Sequence, residues 1–314
     1  MISAYINEGV TIKTIVDLHS HTTFSDGDMQ PGELVGYASE LGLKALSITD
    51  HDTVEGLDIA EKECEGRGIE FIPGIEFTTK LDIPQMELHI LGYGFDREDT
   101  ELLKKTDEAR NNAFKYARKV CSMLESYDWT IDYSVLENAS GILTKHDICT
   151  SVLKGDITNY DFHNEWLGEN SRFYVEIEKF KAEEAIRTIH EAGGKAICAH
   201  LLRSLDMFGS TQMLSTVAGS LIHGGIDGFE VFYGNSTKKQ IETMYNICRK
   251  HDLLMTGGSD FHGHARKGRC SLGGYNTYGI NYNQQRLIDM LRIKRTGIGS
   301  FTESANKERV LQKV

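Results

Sequence analysis

The chain has 314 residues, 40% hydrophobic and 25% charged, ordinary for a globular protein of one large or two smaller domains. Its 34 basic against 46 acidic residues give a formal charge of −12, which argues against a long nucleic-acid duplex as ligand while leaving room for a small anion in a locally positive cleft. The six cysteines form no Cys-x-x-Cys pair, Met1–Lys13 lacks the basic start and apolar run of a signal peptide, and no stretch approaches about 18 apolar residues; reduced thiols, a cytoplasmic setting and no membrane are expected.

In chain order, Ile15–Leu18 reads as a short buried strand, and His19 and His21, two apart, point the same way if it continues. Asp26 follows in a turn closed by Gly27. A helix begins near Pro31, carries Leu34, Ala38 and Leu41 on one face, and stops at Gly42. Strand Lys44–Thr49 runs into Asp50-His51-Asp52-Thr53. A helix over Glu55–Glu65, stopped by Gly66 and Gly68, precedes strand Ile69–Ile72 and then Gly74-Ile75-Glu76. Glu87–Tyr93 is a further strand with His89 inside it. This alternation predicts a parallel sheet in an α/β fold.

The pattern then breaks. A long helix from Asp99 to Tyr127 and short ones at Lys145–Leu153 and Tyr160–Leu167 predict a helical insertion. Alternation resumes with helix Ala182–Ala192, strand Lys195–Ala199 running into His200, a helix near Thr211–His223, and strand Asp227–Phe232 containing Glu230. Helix Lys238–Lys250 leads to strand Leu253–Thr256, which ends in Gly257-Gly258-Ser259-Asp260-Phe261-His262. A last helix spans about Asn283–Lys294. The expected division is therefore 1–95 barrel, first part; 96–180 helical insertion over the active site; 181–314 barrel, second part.

His51, Glu76, His200, Asp260 and His262 each fall at or just past a predicted strand end. In an α/β barrel those ends share the face that holds the active site. With His19, His21, Asp26 and His89 they make nine imidazoles and carboxylates suited to Mn, Fe or Zn.

These residues, in His19-Ser20-His21, Ser25-Asp26-Gly27, Thr49-Asp50-His51-Asp52, Gly74-Ile75-Glu76, His89 within HILGY, Ala199-His200 and Gly258-Ser259-Asp260-Phe261-His262, resemble the PHP (polymerase and histidinol phosphatase) family of metal-dependent phosphoesterases. The insertion and the HILGYGF stretch are similar to the branch acting on nucleoside monophosphates and 3′,5′-bisphosphates, whose relatives trim short RNA ends. The resemblance implies a distorted (β/α)7 barrel with two to three divalent ions, manganese first and iron or zinc as alternatives. One ion would be held by His19, His21, Glu76 and Asp260. A second would take Asp26, His51 and His262, assigned as catalytic, and a third His89 and His200, with Glu76 bridging the first and third. His146 is the one further histidine with a branch counterpart.

Closely spaced divalent ions neutralise a phosphate ester and lower the pKa of bound water, whose hydroxide attacks phosphorus in line. Basic partners are expected in Arg118, Lys145 and Arg203. Arg110 and Arg118 stand about 80° apart at roughly 100° per residue, so one cleft can see both, although a solvated face suits Arg110 as well. Asp50 and Asp52 are expected either to orient ligand imidazoles or to cap loops. Trp129 and Trp166 fit packing inside the insertion better than base stacking. Two departures stand out: Leu201 follows His200 where the family commonly has proline, and Lys145 stands where the branch often has arginine. The reading is hydrolysis of nucleotide phosphate esters (bisphosphates, AMP or short oligoribonucleotides); histidinol-phosphate phosphatase and a non-catalytic metal-stabilised module are the alternatives.

Overall fold

The computed structural model describes residues 16–82, 86–139, 141–152, 166–167, 171, 174–264, 270–280 and 283–292. The first barrel strands are short and parallel: β1 (Val16–Asp17), β2 (Ala45–Leu46) and β3 (Glu70–Phe71) pair in that order. The connecting helices are α1 (Pro31–Leu41) and α2 (Leu57–Arg67). Pro31 opens α1, and Gly42, at φ 77°, closes it in the left-handed conformation that a side chain would disfavour. Helix α2 runs through Gly66 and stops at Gly68.

The second sheet has the order β6-β4-β5-β7-β8-β9. Its strands are β4 (Gly74–Lys80), β5 (Glu87–Tyr93), β6 (Phe180–Lys181), β7 (Lys195–Cys198), β8 (Gly228–Tyr233) and β9 (Leu254–Gly258). One sequence expectation is corrected here. The sheet is mixed, because β5 runs antiparallel to both β4 and β7. Residues 81–86 are too few for a crossover helix, so the chain can only turn back on itself. Glu76 likewise lies inside β4, not past the end of the preceding strand.

The two sheets meet at both seams. The Leu18 amide donates to Gly257 O at 3.2 Å and Ser20 bridges Phe261, joining β1 to β9. The His51–Glu76 bridge joins the continuation of β2 to β4. The result is a distorted α/β barrel.

Side-chain alternation sorts the strands. On β5, Leu88 and Ile90 join the outer apolar cluster under the helices, while Leu91 and Tyr93 point inward. Inside the barrel they meet Val16, Leu18, Ile197 and Ala199, plugged from one end by Leu287, Ile288 and Leu291 of the final helix (Gln284–Leu291). His89 shares the inward face of Leu91 and Tyr93, nearer the open mouth.

Helix α3 (Thr100–Glu125) starts at Asp99, whose carboxylate accepts from the Glu101 and Leu102 amides. With α4 (Tyr133–Glu137) and α5 (Lys145–Ser151) it encloses a separate apolar cluster of Tyr116, Ala117, Val120, Cys121, Leu124, Trp129, Ile131, Ile148, Leu167 and Val175. Trp129 and Trp166 pack edge to face within it, 4.6 Å between centroids. The helix expected over Tyr160–Leu167 falls mostly outside the described residues. The remaining helices are α6 (Ala182–Glu191), α7 (Leu201–Met207), α8 (Leu214–His223) and α9 (Lys238–His251). All six cysteines are free thiols. Among the described residues, no helix is long and apolar enough to cross a membrane.

Candidate metal centre

Glu76 is fully buried at the barrel mouth, with five imidazoles around its carboxylate. From Oε2, His21 Nε2 lies at 3.1 Å, His19 Nε2 at 3.3 Å and His51 Nδ1 at 3.4 Å. From Oε1, His89 Nδ1 lies at 2.9 Å and His200 Nε2 at 3.3 Å. Asp260 Oδ1 sits 3.5 Å from His19 Nε2 and 3.4 Å from His21 Nε2. Asp26 Oδ1 sits 3.1 Å from His262 Nε2, 3.8 Å from His21 Nδ1 and 3.9 Å from His51 Nε2. All nine residues marked from sequence are thus in one cluster.

The donor set fits divalent ions. Two ligand atoms each about 2.1 Å from an ion stand roughly 3.0–3.4 Å apart, close to the spacings around Glu76 and shorter than two of those at Asp26. Three groups have donor atoms within 4.8 Å of one another: His21, Asp26, His51 and His262; His19, His21 and Glu76; and His51, Glu76 and His89. His19 Nε2, His21 Nε2 and Glu76 Oε2 are buried with no hydrogen-bond partner among the described residues. Buried polar atoms are seldom left so, and an ion would satisfy all three.

Charge points the same way. Burial pushes Glu76 up, but the imidazoles of His19, His51 and His89 outweigh it and hold the carboxyl well below its usual range. Burial alone would deprotonate His21 and His89; neighbouring carboxylates instead raise them to about 9 and about 10. Burial dominates at His51, which falls to about 3. Without ions, protons balance the buried carboxylates, and metal ligation requires their release.

Local contacts orient several side chains of the cluster. His19 presents Nε2 inward because Nδ1 meets Glu230 Oε1 at 2.9 Å; the other Glu230 oxygen accepts the His200 amide at 3.0 Å. The Tyr233 hydroxyl donates to Asp260 Oδ2 at 3.2 Å. Asp50 accepts from the Thr22 amide at 2.7 Å and the Ser25 hydroxyl at 2.6 Å, holding the loop that carries Asp26. Asp52 accepts from the Thr78 amide at 2.9 Å. Among the described residues, both aspartates thus hold loop and strand backbone, Asp50 with the Thr22 and Ser25 hydroxyls as well. Gly258 permits close approach of β9: a Cβ there would lie 2.3 Å from His19 Cβ. His200 and Asp260 adopt positive φ of 22° and 54°, uncommon for non-glycine residues and frequent at functional sites. At His200 the chain passes directly into α7, which the sequence reading missed.

Glu230 was also missed as a site residue. Its signal was a single charge in the otherwise apolar GFEVFY strand: Phe229 and Val231 face the outer cluster, so Glu230 faces inward.

Asp26, His51 and His89 are half-buried and open onto a cleft of ≈ 220 Å³. Ala109, Ala113 and Tyr116 of α3, Ile142–Lys145 and Ile177–Phe180 line its far side. Lys145 is there as expected. So is Lys179, which no sequence signal marked; it pairs with Glu87, whose other oxygen meets His89 Nε2 at 3.0 Å.

Arg118 and Arg203 are not among the cleft-lining residues. Helix α3 turns Tyr116, Ala117, Val120, Cys121 and Leu124 into its own cluster, and this sets its rotation. Arg118 then lies about 140° round from Ala113 at roughly 100° per residue, exposed, its guanidinium carbon 4.6 Å from the Phe114 ring centroid. Arg110 pairs with Glu55 at 2.5 Å. Arg203 is half-buried in the first turn of α7. The His146 side chain lies outside the described residues.

Residues 17–198 match the PHP domain family. The chain belongs to that family. Its relatives include a 5′-3′ exoribonuclease from Haemophilus influenzae, 30% identical over 78% of this chain and 89% of that one. A 3′,5′-nucleoside bisphosphate phosphatase from Chromobacterium violaceum is 28% identical over 81% of this chain and 89% of that one. A solved structure described as a metal-dependent phosphoesterase from Bifidobacterium adolescentis superposes with a TM-score of 0.71 at 26% identity, covering 88% of this chain and 94% of that one. The cluster thus occupies the barrel mouth of a PHP domain.

Proposed function

We propose that this PHP protein is a metal-dependent phosphoesterase that hydrolyses phosphate esters of nucleotides in the cytoplasm, with bisphosphates, AMP or short oligoribonucleotides as substrates. The observation that carries the reading is one cluster of nine imidazoles and carboxylates, three of which open onto a cleft also lined by Lys145 and Lys179. The names of the two sequence relatives support the nucleotide class.

Two or three divalent ions, manganese first, would supply charge neutralisation at the ester and activation of water. The inner ligands would be His19, His21, Glu76, Asp260 and His200. Asp26, His51, His89 and His262 would complete the set; of these, Asp26, His51 and His89 line the cleft, which supports binding of the reacting phosphate on their side. Glu230 holds His19 in the tautomer that leaves Nε2 for the ion. Helix α3 with residues 142–145 and 177–180 would roof the cleft, and Ala109, Ala113 and Tyr116 line one side of it. Lys145 suits a second anionic group beyond the reacting one.

Rates on AMP, a nucleoside 3′,5′-bisphosphate and histidinol phosphate, measured side by side with Mn²⁺, test the reading. Turnover of the two nucleotides above histidinol phosphate is expected, and Lys145→Ala should raise KM more for the bisphosphate than for AMP. Preference for histidinol phosphate would overturn the substrate class, and no hydrolysis of any ester would overturn the activity.

A further inference from the structure

Residues 109–124 of α3 contain Arg110, Lys115, Arg118 and Lys119 and no carboxylate, in a chain of net charge −12. The helix has three faces here. One is buried in the insertion's cluster, and one lines the cleft through Ala109, Ala113 and Tyr116. The third is exposed and carries Asn111, Phe114, Lys115, Arg118, Lys119 and Ser122. Phe114 is 46% exposed although Arg118 lies against its ring. Packing does not explain a phenyl in this position. It follows the cleft-lining Ala113 directly, about 100° further round the helix, so the exposed face borders the cleft.

We propose that this outer face of α3 is a binding track for single-stranded oligoribonucleotide whose reacting end occupies the cleft. The proposal rests on the phosphoesterase reading and names the substrate class it favours. Cations without intervening carboxylates match a phosphate backbone. The exposed phenyl with its adjacent guanidinium matches the face of an unpaired base. An acidic peptide would use the cations and leave the phenyl idle. A duplex would keep its bases away from it.

The test uses metal-loaded protein and a fluorescent hexaribonucleotide with phosphorothioate linkages, read by anisotropy against salt. Phe114→Ala should weaken binding about tenfold, the effect of losing one base stack. Lys115→Ala/Lys119→Ala should weaken it further and reduce the slope of log K against log salt by about 0.7 per cation removed. All three positions are exposed, so folding should survive. With a hydrolysable hexamer and AMP, the ratio of their KM values should rise at least fivefold in Phe114→Ala. Wild-type binding by these variants, or equal losses on an oligoglutamate peptide, would overturn the track. Wild-type protein inactive on every ester would overturn the activity instead, and the anisotropy series would still decide the track.

Discussion

At the barrel mouth, ligand-type side chains arrive from separate stretches of chain, and His19 and Asp260 are held by hydrogen bonds from β8. Across the cleft, α3 and residues 142–145 present a surface whose facing follows from one apolar stripe packed into its own cluster. The mouth is tightly fitted: a Cβ at Gly258 of β9 would meet His19, and His200 and Asp260 of the cluster sit at positive φ. The roof depends on a single angular choice. Precision is concentrated at the cluster, and the far side of the cleft rests on a helix whose second half packs into the insertion's own cluster while Leu102 near its start packs into the barrel core.

The sharpest way to break this contrast is Glu76→Gln. It removes the charge about which five imidazoles gather. Turnover should drop about a thousandfold, the equivalent of several kcal/mol of metal-assisted stabilisation, and bound metal should fall in elemental analysis. Near wild-type metal content would show that the carboxylate is not the hub.

Trp129→Ala probes the opposite region. Truncating a 5% exposed tryptophan should cost the insertion about 3–5 kcal/mol. Hydrogen exchange should accelerate through 116–131 while 87–93 stays protected and metal content holds. Equal loss of protection in both would mean one cooperative unit instead of two.

Glu230→Gln is a smaller change at the mouth. Freed from its charged partner, His19 should lose orientation, weakening metal affinity about 10–100-fold with an unchanged circular dichroism spectrum. Competition against a chelator of known affinity gives the number; an unaltered affinity would return Glu230 to a structural role.

The mildest effect is pH dependence. In the metal-free protein His21 and His89 are raised to about 9 and about 10. A raised folded-state value means stability that is fully present below the unfolded value, near 6.5, and lost as pH climbs through 9–10. The melting temperature of chelated protein should therefore fall across that window, and metal uptake at pH 7.5 should release protons in calorimetry run in two buffers. Absence of proton release would show that those imidazoles are already neutral.

The nine clustered residues were legible because metal chemistry draws on few residue types and because the chain carries them in short motifs. His19-Ser20-His21, Asp26 before Gly27, and Asp260-Phe261-His262 each carry their placement within a few residues. Helices α1, α3 and α9 were legible from their apolar spacing and end signals. The direction of β5 was not, since strand pattern is the same in either sense and only the short 81–86 connection, with partners β4 and β7, decides it. Nor was the facing of Arg118. Its 80° relation to Arg110 is a property of the helix alone, whereas which side meets the cleft depends on Trp129, Ile148 and Val175 packing from elsewhere in the chain. Lys179 reached the cleft the same way, by the return of the insertion to β6 beside β4. Local chemistry is written in neighbouring residues; orientation is fixed by contacts between residues far apart in sequence.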